Sequence, residues 1–387
     1  MAAENDDRMA EPGSGKKNAS AGPSCECRPE CCGGASAAGQ PERFFRESER
    51  WVERRIETPA GAVPVVRTKL SRGDTLGKIK VRFGIGRMSY KIKPGLYAVG
   101  NAGPDSPVLV SANYKLSFDC LRREIAGLDA WVLVLDTKGI NVWCAAGKGT
   151  FGTEELVYRV EDSGLARVVS HRTLILPQLG AVGVVAHEVT KRTHFHVVYG
   201  PVRAAEIKEF LASGGKATPD MRRVRFGLAD RFVLTAVELA NPLKYLAIVT
   251  AALWVLRFLG LPFLSWKVWY PYLGAILVGA VLVPALLPWI PGRAFAWKGW
   301  LMGILWAALV NLLQGLLPLT SASWQPAAAH FLLLPAISAF LAMGFTGSST
   351  YTSLSGVLKE MRYAVPAILA SASLGIIFLA VGLIRGR

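Results

Sequence analysis

Acid, histidine and cysteine are all scarce in this chain of 387 residues. Its 28 Asp and Glu face 44 Lys and Arg, for a formal net charge of +16, and it has five histidines. No pair of them forms His-Glu-x-x-His, so a metallopeptidase lacks its ligand set. The six cysteines are Cys25, Cys27, Cys31, Cys32, Cys120 and Cys144. Four crowd into the first segment and two stand alone, which excludes a disulfide framework. The spacing Cys25-x-Cys27-x-x-x-Cys31-Cys32 is neither a paired zinc motif nor a usual iron–sulfur run. The first residues are polar and acidic with no apolar core, so no secretory signal is expected and the amino-terminal half is expected to stay in the cytoplasm. No nucleic-acid motif accompanies the basic charge, so no nucleic-acid partner is expected. Positive charge also suits the cytoplasmic face of a membrane, where Lys and Arg are retained.

Composition divides the chain into three. Residues 1–43 are rich in Gly, Ala, Ser and Pro and read as a disordered, Cys-containing tail. Cys31 and Cys32 in it have two readings. One is a dispensable tail; the other is capture of a soft metal ion, which thiolates favour. Residues 44–235 read as a cytoplasmic α/β domain. Lys78-Ile79-Lys80-Val81-Arg82-Phe83 alternates basic and apolar residues, Gly84-Ile85-Gly86 turns, and a second stretch reaches Ile92, which predicts a hairpin. Val108-Leu109-Val110 reads as a strand, and Phe118, Leu121, Ile125 and Leu128 share one helical face. Residues 131–135, Trp-Val-Leu-Val-Leu, have the length and apolarity of a strand buried on both faces. Thr153 with Glu154 and Glu155 predicts a helix start. Residues 174–176 and 197–199 are further strands, and Ala204, Ile207 and Leu211 line a helix. His194 and His196 alternate on an expected strand. The repetition implies a Rossmann-like α/β fold, with a mostly parallel sheet and helices on its faces.

Residues 236–387 read as an all-α, polytopic membrane domain. Apolar runs at 243–260, 272–290, 301–319, 327–345 and 364–383 each approach the ~20 residues that cross a bilayer. Tryptophans cluster near their ends, as interfacial anchors do. Arg293, Lys298, Lys359 and Arg362 fall on the loops expected inside, and the loop between the third and fourth runs has no Lys or Arg; Arg385 and Arg387 oppose that topology. The expected location is the cytoplasmic membrane, with the α/β domain inside. Arg222, Arg223, Arg225 and Arg231 precede the first run and suit its inner flank, or anionic lipid. Asn311, Gln314 and His330 fall within runs and are expected to hydrogen-bond between helices.

The α/β domain is organised around Asn141, Val142, Trp143, Cys144, Ala145, Ala146, Gly147, Lys148, Gly149 and Thr150. The segment follows the carboxyl end of the expected central strand, where open α/β sheets bind ligands. Small residues let a large group approach the backbone. Gly147-Lys148-Gly149-Thr150 is not a phosphate loop, because Val142 stands where an earlier Gly is required and Gly149 where Ser or Thr is required. Read alone, Cys144 is either a buried apolar thiol or a reactive one beside the cation Lys148. A nucleophilic thiol would want a base, for which His171 or His187 is available. The chain lacks Asp-x-His-x-x-Gly, which in many cobalamin enzymes supplies a histidine to cobalt.

Residues 141–148 closely resemble the cap-helix signature of the corrinoid protein of microbial mercury methylation, Asn-Val/Ile-Trp-Cys-Ala-Ala/Gly-Gly-Lys, at all eight positions. The likeness extends through Pro94-Gly95-Leu96-Tyr97, Ser111-Ala112-Asn113-Tyr114-Lys115, Leu176-Pro177-Gln178-Leu179-Gly180 and 345–353. The α/β part is also similar to the corrinoid domain of the large subunit of the corrinoid iron–sulfur protein of acetyl-CoA synthesis, whose cluster cysteines are not recognisable here. The resemblance implies a base-off cobalamin-type corrinoid with the Cys144 thiolate as lower axial ligand to cobalt. The ten residues 141–150 would form the cofactor surface, with Cys144 central to catalysis. It implies a methyltransferase that moves a methyl group from methyl-cobalt(III) to inorganic Hg(II). The implied partners are a ferredoxin-like protein with two [4Fe–4S] clusters as reductant and a methyl donor from the methyltetrahydrofolate pathway. Two alternatives stand beside it: a corrinoid methyl carrier for one-carbon metabolism, and a membrane metal transporter whose cytosolic metal site is the Cys25–Cys32 cluster.

Overall fold

The structure, a computed structural model, describes residues 50–258, 266–321, 323–348 and 354–385. Cys25, Cys27, Cys31 and Cys32 lie outside the described residues, as do residues 349–353 of the last resembling segment. In chain order the first part comprises β1 (Val52–Thr58), β2 (Gly61–Val66), α1 (Arg72–Arg82), β3 (Gly95–Val99), β4 (Val108–Ala112), α2 (Lys115–Glu124) and β5 (Ala130–Leu135). There follow α3 (Val142–Gly147), α4 (Thr153–Asp162), α5 (Leu165–Val168), β6 (Thr173–Leu176), α6 (Ala186–Thr193), β7 (His196–Tyr199) and α7 (Ile207–Ala212).

The seven strands among the described residues join one sheet in the order β1-β2-β3-β5-β4-β6-β7. Four of its six pairings are parallel, as expected, but the sheet is mixed, because β1 runs antiparallel to β2 and β3 antiparallel to β5. A parallel neighbour needs a crossover long enough for a helix. The β3–β4 link has none; it is a Gly- and Pro-containing loop, pinned where the Trp131 indole N–H donates to the Gly103 carbonyl at 2.8 Å. From β4 onward every link carries a helix, and β5, β4, β6 and β7 are parallel. Strand β5 is central and fully buried, as its apolar run predicts. Trp131, Leu133 and Leu135 pack with Leu156, Val157 and Val160 of α4 and Val189 of α6. Val132 and Val134 pack on the other face with Phe118 and Leu121 of α2 and with Ile125.

The predicted hairpin at 78–92 is a helix, α1, followed by a 3-10 turn at Arg87–Ser89. Ser71 caps α1 by accepting the Asp74 N–H at 3.2 Å, and the Asp74 carboxylate accepts the Ser71 N–H at 2.9 Å. This reciprocal cap outweighs the two-residue alternation. Thr153 does begin α4, but Gly152 is its cap; the Thr153 hydroxyl instead accepts the Val185 N–H at 2.9 Å, just before α6. His194 is not on a strand. It closes α6 with φ +63°, and His196 opens β7.

The remaining chain forms long apolar helices: α8 (Leu228–Phe258), α9 (Trp266–Leu277), a π-helical segment (Val278–Leu282), α10 (Val283–Leu286), α11 (Phe295–Leu313), α12 (Trp324–Gly344) and α13 (Leu354–Arg385). Among the described residues five stretches are long and apolar enough to cross a membrane: Leu228–Ala251, Val268–Leu286, Phe295–Leu313, Trp324–Gly344 and Ser355–Gly382. The first helix starts well before its expected apolar run. Arg231 is inside it, and its buried guanidinium donates to the Ala285 carbonyl at the end of α10. Glycine lets α11 and α12 approach closely. A Cβ on Gly299 or Gly303 of α11 would strike Ser338 or Pro335 of α12 at 2.5 Å. Asn311 and His330 pair between those two helices at 2.7 Å, as expected; Gln314 terminates α11.

Candidate functional site

The site is built from Asn113 outward. Asn113 follows β4 and is 1% exposed. Its carbonyl oxygen accepts the Thr137 and Gly139 N–H groups at 3.1 and 3.0 Å, and its amide donates to Asp136 at 2.9 Å. These bonds shape the loop leaving β5, in which Lys138 and Gly139 are both left-handed, at φ +59° and +78°. Glu155 of α4 accepts the Asp136 N–H at 2.7 Å from the other side. The loop delivers Asn141, whose side chain accepts the Cys144 N–H at 2.9 Å and caps α3. Asn113 and Asn141 thus serve one purpose, to fix where α3 begins.

Within α3 the residues divide cleanly. Ala145 and Ala146 are buried and pack into the sheet core, holding the helix backbone low. Trp143, Cys144, Gly147, Lys148 and Gly149 are exposed, and Asn141, Val142 and Thr150 are half-buried. A Cβ built on Gly147 or Gly149 would meet nothing within 4 Å. Gly149 is left-handed at φ +77°, but Gly147 is ordinary helical backbone. Glycine there costs roughly 0.5–1 kcal/mol against alanine, and no packing among the described residues requires it. The reverse holds beneath the helix. A Cβ on Gly183 would lie 2.1 Å from the Phe151 carbonyl oxygen and 3.0 Å from Ala146 Cα; one on Gly180 would lie 2.5 Å from the Phe151 ring. The loop after β6 is therefore pressed against α3 from below, and its Gln178 Oε1 is buried without a hydrogen-bond partner among the described residues.

Beside α3 a cavity of about 470 Å³ opens beyond the carboxyl ends of β4 and β6. These strands mark the switch point of the sheet. The chain leaves β4 over one face to reach β5, and leaves β5 over the other to reach β6 on the opposite side of β4. Crevices of this kind bind ligands in open α/β sheets. Asn141, Val142 and Trp143 line the cavity, whereas Cys144 is exposed just beyond them. Lys78 and Arg82 of α1 form part of its wall, and Arg82 Nε is buried without a partner among the described residues. Cys120 lines it too; burial pushes its thiol pKa up, so it is a neutral thiol at neutral pH.

Below the cavity, α1 and α2 are joined by four charges. Lys115 Nζ bridges Asp74 and Asp119 at 2.6 Å each, and Arg122, 0% exposed, bridges the same two carboxylates at 2.9 and 2.8 Å. Burial works against the Asp74 charge. Lys115 and the Ser71 N–H outweigh it and hold the carboxyl well below the usual range.

No histidine approaches Cys144 from the places available to His171. Its ring contacts the Ser106 carbonyl at 2.9 Å and the Thr173 N–H at 3.2 Å. Ser106 and His171 precede β4 and β6 and Thr173 opens β6, at the opposite edge of the sheet from α3. His187 is exposed on α6 beside Glu188, at 3.6 Å. The expectation that His171 could act as base at Cys144 is therefore corrected by strand direction. Among the described residues no three His, Cys, Asp or Glu side chains converge as a metal site. Sequence alone missed Asn113 as the residue that forms the loop and Gln178 as an orphaned acceptor. Both fall inside the resembling segments, which was the available signal.

Residues 73–211 match the family described as CO dehydrogenase/acetyl-CoA synthase delta subunit. The chain is also similar to acetyl-CoA decarbonylase/synthase complex subunit gamma of Methanopyrus kandleri, 33% identical over 131 residues, covering 33% of this chain and 28% of that protein. The corresponding subunit of Archaeoglobus fulgidus is 31% identical over 140 residues, covering 34% and 29%, and that of Methanocaldococcus jannaschii 31% over 127 residues, covering 32% and 26%. The chain thus spans less than a third of the length of these relatives. The family match includes α3 and the switch-point cavity and stops at residue 211, before the first long apolar helix. The sheet-bearing part of this chain is similar to subunits of the acetyl-CoA decarbonylase/synthase complex, in agreement with its likeness to the large subunit of the corrinoid iron–sulfur protein.

Proposed function

We propose that the chain is a membrane-anchored, corrinoid-dependent methyltransferase with inorganic Hg(II) as acceptor. The observation that carries this is the placement of the eight-residue signature. It forms a capped helix at the sheet's switch point, with Cys144 exposed and open glycines following it. The residues fit a flat macrocycle. Gly147 and Gly149 leave space above the backbone that a Cβ would fill, and Trp143 offers an aromatic edge beside it. The unpartnered Gln178 amide suits the peripheral amides of a corrinoid, since a buried acceptor left without a donor costs about 1–3 kcal/mol. The adjoining cavity, with Lys78 and Arg82 in its wall, suits the nucleotide tail that a base-off corrinoid displaces.

When bound, the corrinoid supplies a cobalt centre whose methyl group a soft electrophile can accept. Cys144 would hold the cobalt through its sulfur, and a protein ligand of this kind is one of the main means of tuning a metal cofactor. Asn141 fixes the thiol's direction by capping the helix at Cys144 itself. Ala145 and Ala146 keep the helix seated, and the Gly183 contact bars it from sinking further. The reductant is a ferredoxin-like protein with two [4Fe–4S] clusters, the methyl donor derives from the methyltetrahydrofolate pathway, and the apolar helices hold the protein in the cytoplasmic membrane.

Similarity to acetyl-CoA decarbonylase/synthase subunits favours a second reading, a methyl carrier for one-carbon metabolism with another acceptor. The test is an anaerobic spectrum of the full chain in detergent, reconstituted with cobalamin, beside Cys144→Ala. Corrinoid binding by both, with a changed cobalt(III) spectrum in the variant, is expected; absence of binding in both refutes either corrinoid reading. Loss of cellular Hg(II) methylation on deletion, restored by wild type and not by Cys144→Ala, separates mercury from another acceptor.

A further inference from the structure

Helix α1 has an outward face that the site does not use. Arg72, Leu76, Ile79 and Phe83 follow one another at helical spacing on a single stripe. Leu76, Ile79 and Phe83 are 59%, 48% and 48% exposed, and the stripe continues into Ile85 and Met88 at 64% and 67%. Its opposite face is committed: Val81 is buried, and Asp74, the helix's one carboxylate, is held by Lys115 and Arg122. The flanks of the stripe are basic. Lys80 lies on one side and Lys78 and Arg82 on the other, with Arg87 exposed beyond the end. Among the described residues no carboxylate pairs with Lys80 or Arg87.

A helix with an apolar stripe between cationic flanks is the pattern of one lying in a lipid headgroup layer, where long basic stems reach outward to phosphates. A second observation sets its level. Helix α1 packs against α8, whose membrane-length stretch begins at Leu228. Leu228 and Phe232 are themselves 52% and 59% exposed at that start. The helix that carries the stripe thus lies against a candidate span.

We infer that α1 lies in the headgroup layer of an anionic bilayer, with Leu76, Ile79 and Phe83 toward the acyl chains and Lys80 and Arg87 at lipid phosphates. The inference rests on the membrane-anchored reading. It places the α1–α2 wall of the cavity directly over the bilayer and leaves the exposed face of α3 as the open approach.

The test uses the full chain in nanodiscs of neutral lipid with or without anionic lipid. A nitroxide is carried on a non-natural side chain in place of Phe83, with controls in place of Lys208 on α7 and Val249 in the first membrane-length stretch. The expected result is a ratio of collisions with oxygen to those with a water-soluble nickel chelate several-fold higher at 83 than at 208. Combining Lys80→Glu and Arg87→Glu lowers that ratio in anionic discs. If 249 reads as lipid-exposed and 83 reads like 208, the inference is overturned while the membrane reading stands. Shielding of 83 from both reagents means that protein covers the stripe, and also overturns it. If 249 reads as water-exposed, the membrane reading itself falls.

Discussion

Replacing Asn113 with alanine removes one side chain that bonds four groups at once. The Thr137 hydroxyl has a single proton and already reaches the Ile140 carbonyl at 2.7 Å, so it keeps a partner. The Thr137 N–H keeps the Leu135 carbonyl at 3.1 Å, but the Gly139 N–H loses its acceptor, and Gly139 is buried. An orphaned buried donor costs about 1–3 kcal/mol, and that much is expected to disappear locally. That corresponds to roughly five- to 150-fold faster opening at 1.4 kcal/mol per factor of ten. Amide hydrogen exchange reads this directly, because local opening is resolved segment by segment. The segment from Asp136 to Lys148 should lose protection by that factor while β5 keeps its own. Asn113→Asp retains the acceptor, loses the donor to Asp136 and sets two carboxylates together, so it should be intermediate in exchange at Gly139. Unchanged exchange at Gly139 in Asn113→Ala would refute the assignment of Asn113 as the organiser of the loop.

Gly147→Ala should leave the apo protein as stable or slightly more so, since its Cβ meets nothing, yet weaken corrinoid retention; equal affinity in equilibrium dialysis would count against the macrocycle surface. Gly183→Ala should destabilise by about 1–3 kcal/mol, read as increased exchange in α3, because the opposing atoms are backbone and cannot turn aside. Asp74 titrates lower in the folded chain than unfolded, so its contribution is fully present above the unfolded value of about 3.9 and is lost as pH falls below it. Protection of α1 should therefore be flat from pH 8 to 5 and decline only in stronger acid, and a decline near pH 6 would contradict the ion-pair account. Asp74→Asn leaves Lys115 and the fully buried Arg122 with Asp119 alone and should cost about 3 kcal/mol, seen as loss of α1 protection at pH 7.

Much of the sheet was legible because burial on both faces writes a continuous apolar run. Strand β5 and the helix face of Phe118, Leu121 and Ile125 are of that kind. The segment at 78–83 misled because its alternation of Lys or Arg with apolar residues matches a strand's period. Its true signal lay upstream, in Ser71 and Asp74 at capping-box spacing. Two antiparallel pairings were hidden because strand direction depends on whether a link is long enough for a crossover, and the β3–β4 loop is not. At the site, the position of Cys144 past a central strand followed from chain order. The role of Asn113 did not, since it depends on the ends of β4 and β5 lying side by side. Arg231 looked like a flanking charge because sequence cannot show the α10 carbonyls that receive it.

The order of elements along the chain also bears on how the protein is made. Among the described residues every strand, from Val52 to Tyr199, precedes the first membrane-length helix at Leu228. At about 5–20 residues per second, the ribosome finishes the last strand a few seconds before it starts that helix's apolar run. The slow, non-local pairings of the sheet can therefore begin closing while no hydrophobic span competes for them. The candidate spans therefore emerge behind a sheet that is already taking shape.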